Sequence, residues 1–337
     1  MNCFFKRRIL NVGFFSLAFM CFLLFFLKFV ETVRQGAIAL SVFNFFLLAG
    51  LALVMKVEYS CYVSPKVDEC CFDKTDAFNF LSVIVGALIT YVLSTDLGLG
   101  AVVSAGIVGL LAALVVPNFA VSAYCGAFVG MASPSLLPTH FHLLLAGTIA
   151  GAVFVAAKLS FNGFGGKLGT IAFTGCIVAA LLTGKSFLST PVPAWDMGFH
   201  LIFYSVIGAV VTRVISIRLK HGAVMASSVV GLLGGLILPA VHPETGSTLS
   251  VMVICASFAG MSSADRIPNE ISMAVAGLIA ALVFMFTSPY LGGAGGKLGT
   301  IAFGSVIAIL WHNFEARNHL LSMKNWAQAR RNIRNTP

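Results

Sequence analysis

Charge is scarce in this chain. Of its 337 residues only 10% are Asp, Glu, Lys or Arg, and residues 97–157 contain none at all. An ordinary soluble domain carries about a quarter. Hydrophobic residues make up 58%, and mean hydropathy is +0.96. This excludes a soluble globular protein, a disordered protein and a disulfide-stapled secreted domain, because a compact water-soluble body could not hide so much apolar surface. Lipid must be the solvent for most of the chain. The alternation of apolar and polar residues that marks a barrel strand is also missing, so the expected fold is all-α and polytopic. At roughly 20 residues per span, there is room for ten to twelve helices and almost no extramembrane domain.

Chemical motifs are missing as well. The eight cysteines form no C-x-x-C pair. Cys3, Cys21, Cys125, Cys176 and Cys255 lie in or beside apolar runs, where cysteine acts as a small hydrophobe. Cys61, Cys70 and Cys71 share the one sizeable polar loop, residues 56–78, without zinc or redox spacing. His140 and His142 stand two apart but lack a third ligand, so no metal is expected. No hydrolase elbow, zincin helix, haem motif or Walker A loop is present, which argues against an enzyme and against a bound cofactor.

The charge that is present is uneven. Lys6, Arg7 and Arg8 give +3, and Arg317, Lys324, Arg330, Arg331 and Arg334 against Glu315 give +4, so +7 of the net +9 sits at the two ends. A nucleic-acid protein would carry its basic residues on a folded face among stacking aromatics. Here they flank apolar spans, the pattern that keeps positive segments in the cytoplasm. The expected location is the cell (inner) membrane, multi-pass, with both termini cytoplasmic. The run Ile9–Leu27 after the first basic cluster is longer than a secretory h-region and has no A-x-A-like site after it. It reads as a retained signal-anchor helix.

Apolar runs fall at about 9–30, 36–55, 79–95, 100–116, 119–133, 141–158, 168–188, 199–217, 222–239, 249–263, 271–288 and 298–314. The chain also repeats itself. Residues 125–173 align without a gap to 255–303, and 22 of the 49 positions are identical. The anchors are CGAFVGMAS (125–133) against CASFAGMSS (255–263), AGTIAGAVF (146–154) against AGLIAALVF (276–284), and GGKLGTIAF at both 165–173 and 295–303. Upstream, GLLAALVVP (109–117) answers GLLGGLILP (231–239). The expected organisation is a two-helix segment and polar loop (1–78), a first five-helix repeat (79–188), a second (199–314) and a basic cytoplasmic tail (315–337).

An odd number of crossings would turn the second repeat upside down. The first element of repeat one ends at Ser94-Thr95-Asp96, whereas its counterpart ends among Arg213, Arg218, Lys220 and His221. The positive-inside bias puts these equivalent loops on opposite faces, so the two repeats are expected to be inverted. If 119–133 and 249–263 did not cross, the repeats would instead be parallel. Inverted repeats are a recurrent transporter architecture, with the solute near the midplane where they meet.

Three pairs could form such a site. GGKLGT precedes an apolar helix in both copies, so it combines the free N–H groups of a helix start with the charge of Lys167 or Lys297. Thr170 and Thr300 could hydrogen-bond a solute there. The same loop could equally be a tight interfacial turn whose lysine snorkels to headgroups. The short element bearing Tyr124 and Phe128, repeated with Phe258, suits a discontinuous helix whose ends face a solute, or close packing through small residues. Phe173 and Phe303 could form a flat slot, or simply pack. Asp265, Arg266 and Glu270 read as a short solvated loop.

Five-plus-five inverted helices, with YCGAFVG (124–130) and ICASFAG (254–260) opening the third crossing, resemble the urea transporter family over about 79–314. That resemblance implies a short pore helix before the third span and a central pore between repeats. The expected function is a channel or facilitated carrier for a small polar solute, urea-like or a small anion. Its partners would be that solute and the bilayer, with homo-oligomers compatible and nucleic acid excluded. The alternative is a non-transporting membrane scaffold or envelope-complex subunit whose basic tail, 317–334, binds lipid or a partner.

Overall fold

The computed structural model describes residues 3–62 and 72–310, with side chains at 7–60 and 72–310. The side chains of Cys3, Lys6 and Cys61, together with Cys70, Cys71 and the basic tail, lie outside the described residues. The regular structure is helical: α1 (Cys3–Arg34), α2 (Ile38–Tyr62), α3 (Lys74–Tyr91), α4 (Ala101–Val115), α5 (Ala120–Gly130), α6 (His140–Ala156), α7 (Lys167–Leu182), α8 (Trp195–Arg213), α9 (Ala223–Val241), α10 (Gly246–Gly260), α11 (Glu270–Thr287) and α12 (Lys297–Leu310). Each apolar run of the sequence overlaps one of these helices.

Six stretches are long and apolar enough to cross a membrane: Arg7–Arg34, Ile38–Ser60, Lys74–Asp96, Trp195–Arg218, Ala223–Val241 and Glu270–Thr287. The remaining helices are shorter, at 10–17 residues. Pro117 sits between α4 and α5, Pro138 lies just before α6, and Gly166 and Gly296 cap the starts of α7 and α12. The outer surface is apolar: Phe15, Phe19, Leu114, Phe141, Leu181, Phe199 and Phe203 are all more than half exposed. In water such a surface would drive aggregation; against acyl chains it costs nothing.

The sequence repeat is also a repeat of backbone shape. α3 and α8 both run on into a π-helical turn, Val92–Asp96 and Val214–Arg218. The next helices start from Gly100 and Gly222, at φ 79° and 82°. Between α6 and α7 the left-handed positions are Phe161, Gly163 and Gly166; between α11 and α12 they are Leu291, Gly293 and Gly296. Phe161 and Leu291 adopt φ of 51° and 52° although neither is glycine, so the local turn holds the backbone there against side-chain preference.

Contacts between the two units are reciprocal. Ser133 N–H donates to Gly293 O at 2.8 Å, and Ser263 N–H donates to Gly163 O at 2.9 Å. Each linker before α7 or α12 thus receives its hydrogen-bond partner from the opposite unit. Without water at depth, each unpaired backbone group would cost several kcal/mol. Gly166 and Gly169 lie against Phe303 and Gly299, while Gly296 and Gly299 lie against Phe173 and Gly169. This register makes the starts of α7 and α12 antiparallel. The equivalent helices α4 and α9 are antiparallel too, with Gly109 at Ser228, Gly106 at Leu232 and Val103 at Gly235.

The first two helices stand outside this arrangement and break its symmetry. α1 packs Phe14 on Phe161 with ring centroids 4.6 Å apart, and sets Phe25 against Gly304. It therefore spans both units on one side only. Glu31 on α1 accepts a hydrogen bond from Tyr290 Oη at 2.7 Å, just before the second GGKLGT.

Candidate functional site

Two cavities flank the centre, of about 310 Å³ and 290 Å³. The first is lined by Val121, Phe154, Gly165, Gly166, Lys167, Leu168, Ile171, Met261 and the α9 start, Ala223 and Val224. The second is lined by Val251, Phe284, Gly295, Gly296, Lys297, Leu298, Ile301, Met131 and the α4 start, Ala101 and Val102. Residue by residue, these are equivalent positions of the two repeats. Because α4 and α9 are antiparallel, their starts lie at opposite ends of the pair, and so do the cavities.

Between them stand two rings. Phe128 and Phe258, equivalent residues on α5 and α10, have centroids 4.3 Å apart. Phe258 lines both cavities, and Phe128 lines the first. Both side chains are 1% exposed. Tyr124 backs Phe128 at 4.3 Å. Its hydroxyl pairs with Ser227 at 3.0 Å, and Ser227 pairs with Ser257 at 2.8 Å. A buried phenol needs such a partner, and this chain ties α5, α9 and α10 together behind the rings.

The GGKLGT copies meet at the centre through backbone. A Cβ built on Gly169 would lie 2.5 Å from Gly299 Cα, and one on Gly299 would lie 2.4 Å from Gly169 Cα. Gly166 and Gly296 combine such closeness with φ of 81° and 83°, a conformation that suits glycine alone. The repeated spacing of glycines in the motif thus has a steric cause. Lys167 Nζ donates to Asn162 Oδ1 at 2.9 Å. Lys297 Nζ donates to the carbonyls of Thr287 at 2.7 Å and Tyr290 at 2.5 Å.

Of the residues singled out from sequence, Phe128, Phe258, Lys167 and Lys297 come together around the cavities. Tyr124 lies one layer behind. Thr170, Thr300, Phe173 and Phe303 are fully buried and do not line either cavity. Thr170 Oγ1 turns back to Gly166 O, at 3.2 Å, while Phe303 packs on Phe161 and Phe164. Sequence reasoning passed over Val121, Met131, Phe154, Ile171 and their counterparts Val251, Met261, Phe284 and Ile301. Their identity across the repeats was the available signal.

Two of the residues expected in a solvated loop, Arg266 and Glu270, are engaged. Arg266 reaches across to Glu58 on α2, pairing with both carboxylate oxygens, and donates Nε to Asn162 O at 3.1 Å. Its guanidinium covers the Phe164 ring at 4.2 Å. Glu270 accepts from Arg218 at 2.8 Å. His140 pairs with Asp96 at 3.1 Å, and His142 turns to Thr139.

Compared with known proteins, the chain matches no family model, no curated protein and no solved structure.

Proposed function

We propose that this protein is a membrane channel or facilitated transporter for a small polar solute, with one pathway per chain. The observation that carries the reading is the pair of equivalent cavities at opposite ends of α4 and α9, separated by the Phe128–Phe258 pair. A structural scaffold has no need for two half-open chambers that mirror each other across a ring pair. The rings act as the constriction, and the cavities act as vestibules. Helix starts and lysines offer donors, and the apolar walls let a solute move on without strong retention.

In this reading the two five-helix units are inverted repeats, related by a two-fold axis in the membrane plane near Gly169 and Gly299. The reciprocal contacts support it, because a two-fold relation makes residue i touch j′ while j touches i′. The antiparallel pairing of α4 with α9 supports inversion rather than parallel repetition. The ion pairs repeat as well: Asp96 meets His140, while the equivalent end of α8 meets Glu270 through Arg218. Positive-inside bias then sets the Arg218–His221 loop and both termini in the cytoplasm of a cell (inner) membrane. The first cavity is accordingly the cytoplasmic one. The resemblance to the urea transporter family points to the same central pore.

The test is flux through proteoliposomes carrying the full chain, with urea, small amides and small anions offered side by side. Transport of at least one above empty vesicles is expected. Absence of flux for all would favour the scaffold reading.

A further inference from the structure

We infer that the permeating solute is a small monovalent inorganic anion, of nitrate or halide class, held in turn at Lys167 in one cavity and at Lys297 in the other. This rests on the pore reading above and names its substrate.

The argument begins with charge. Among the described residues, no Asp or Glu lines either cavity. In the second, Lys297 is the one charged residue among the described lining residues. In the first, Lys158 also lines the wall, but it is paired with Asp76 at 2.7 Å. Arg266 nearby is matched by Glu58. Among the described residues, one lysine per cavity is left without a counter-charge. The partners of Lys167 and Lys297 among the described residues are neutral: an amide oxygen for the first, two backbone carbonyls for the second.

An ammonium has three donors and no acceptor. Lys167 places one donor in the protein and Lys297 places two. Each lysine therefore keeps at least one N–H for a guest. Beside each lies the start of a helix, α7 or α12, whose first N–H groups have no partner within the helix and whose end carries positive partial charge. Gly165, Gly166 and Leu168 line the first cavity with Lys167, and Gly295, Gly296 and Leu298 line the second with Lys297. The polar features that recur in both cavities are thus donors of positive sign, a lysine beside a helix start on either side of the rings, whereas the neutral groups differ: Asn162 in the first, and Ser133, Thr190 and Ser288 in the second.

Retaining a lysine in both copies is costly for a neutral pathway. A lysine within a span disfavours insertion by about 2.5–3.5 kcal/mol. A urea-like solute would need acceptors as well as donors at both stations; in the first cavity the Asn162 amide oxygen already accepts from Lys167, and the hydroxyls of Ser133, Thr190 and Ser288 line the second cavity alone. One charge per station matches a monovalent anion; a multivalent one would leave charge unmatched. The ring pair admits only a solute that is small and sheds its water easily.

The experiment uses full-length protein in neutral-lipid vesicles with a voltage-sensitive dye, comparing nitrate, chloride, urea and potassium. Entry of nitrate or chloride should charge the vesicle interior negative, with anions favoured over potassium. Lys167→Met and Lys297→Met should each lower anion flux by about tenfold or more, while Lys167→Arg and Lys297→Arg retain most of it, as basic residues do in anion pores. Urea flux without anion flux would overturn the inference and leave the pore standing. Anion flux untouched in the double Met variant would overturn the two lysine stations. No flux of any solute would overturn the pore, and the inference with it. If a Met variant fails to reach the membrane, the selectivity of the unaltered protein decides: preference for potassium over anions overturns the proposal.

Discussion

Phe128 and Phe258 occupy the same position in two copies of one sequence, and their rings meet at 4.3 Å with an interplanar angle of 45°. A residue touching its own counterpart lies on the axis relating the copies. Here that contact coincides with the partition between two cavities. Removing either ring should therefore join them. Phe128→Ala and Phe258→Ala are each expected to raise solute flux several-fold, with the double variant close to either single one, because the second ring no longer has a partner to close against. The cost in stability should be about 3–5 kcal/mol per ring. Flux that falls in both variants, at unchanged protein level, would show that the rings do not form the constriction.

Gly169 and Gly299 press backbone on backbone. Neither neighbour is a side chain that could swing away, so Gly169→Ala and Gly299→Ala should each destabilise the protein by about 1–3 kcal/mol through overpacking. Gly147 is the control: its nearest neighbour to a new Cβ is 3.5 Å away, ordinary contact. Gly147→Ala should be neutral or slightly stabilising, since alanine favours a helix by up to about 1 kcal/mol. Thermal unfolding in detergent reads the difference, and equal effects at all three sites would remove the steric explanation.

Inverted repeats, as proposed, would fix the sidedness of equivalent loops. Single cysteines at Thr95 and Lys220, on a background without the native ones, should label from opposite faces of the membrane, with Lys220 cytoplasmic. Labelling of both from one face would rule out an axis in the membrane plane.

Arg266 and Glu58 join the α10–α11 loop to α2 through a bidentate pair. Such forked pairs hold geometry as well as charge. A double-mutant cycle with Arg266→Ala and Glu58→Ala should give a coupling of about 1 kcal/mol, at the upper end for partly exposed pairs. The single variants should also increase protease access at the C-terminal end of α2. Additive effects would mean that the pair does not bind α2 to the repeats.

Tyr124 tests the layer behind the rings. Tyr124→Phe removes the bond to Ser227 but leaves Ser227 paired with Ser257. The expected cost is about 1 kcal/mol in stability, with flux little changed, because Tyr124 does not line either cavity. A large loss of flux at full stability would place the phenol in the pathway.

Much of this architecture could be read in the chain. The near absence of charge dictated a lipid-facing helical protein, because nothing else can satisfy a backbone where water is missing. The offset of 130 between the GGKLGTIAF copies established two equivalent units. It did so through identity alone, before any contact was known. The same identity marked Phe128, Phe258 and both lysines as a set.

Tertiary structure decided what each repeated residue does. Thr170, Phe173 and their counterparts repeat as faithfully as Lys167, yet they face the protein interior; sequence identity records that a position is constrained, while direction along a helix and the approach of the other unit decide by what. The placement of Arg266 was equally invisible, since Glu58 is 208 residues away. Local patterning sets which segments become helices, because backbone and side-chain preferences act over a few residues. Which of those helices meet, and which side chains are left facing a cavity, depends on contacts between parts of the chain more than a hundred residues apart.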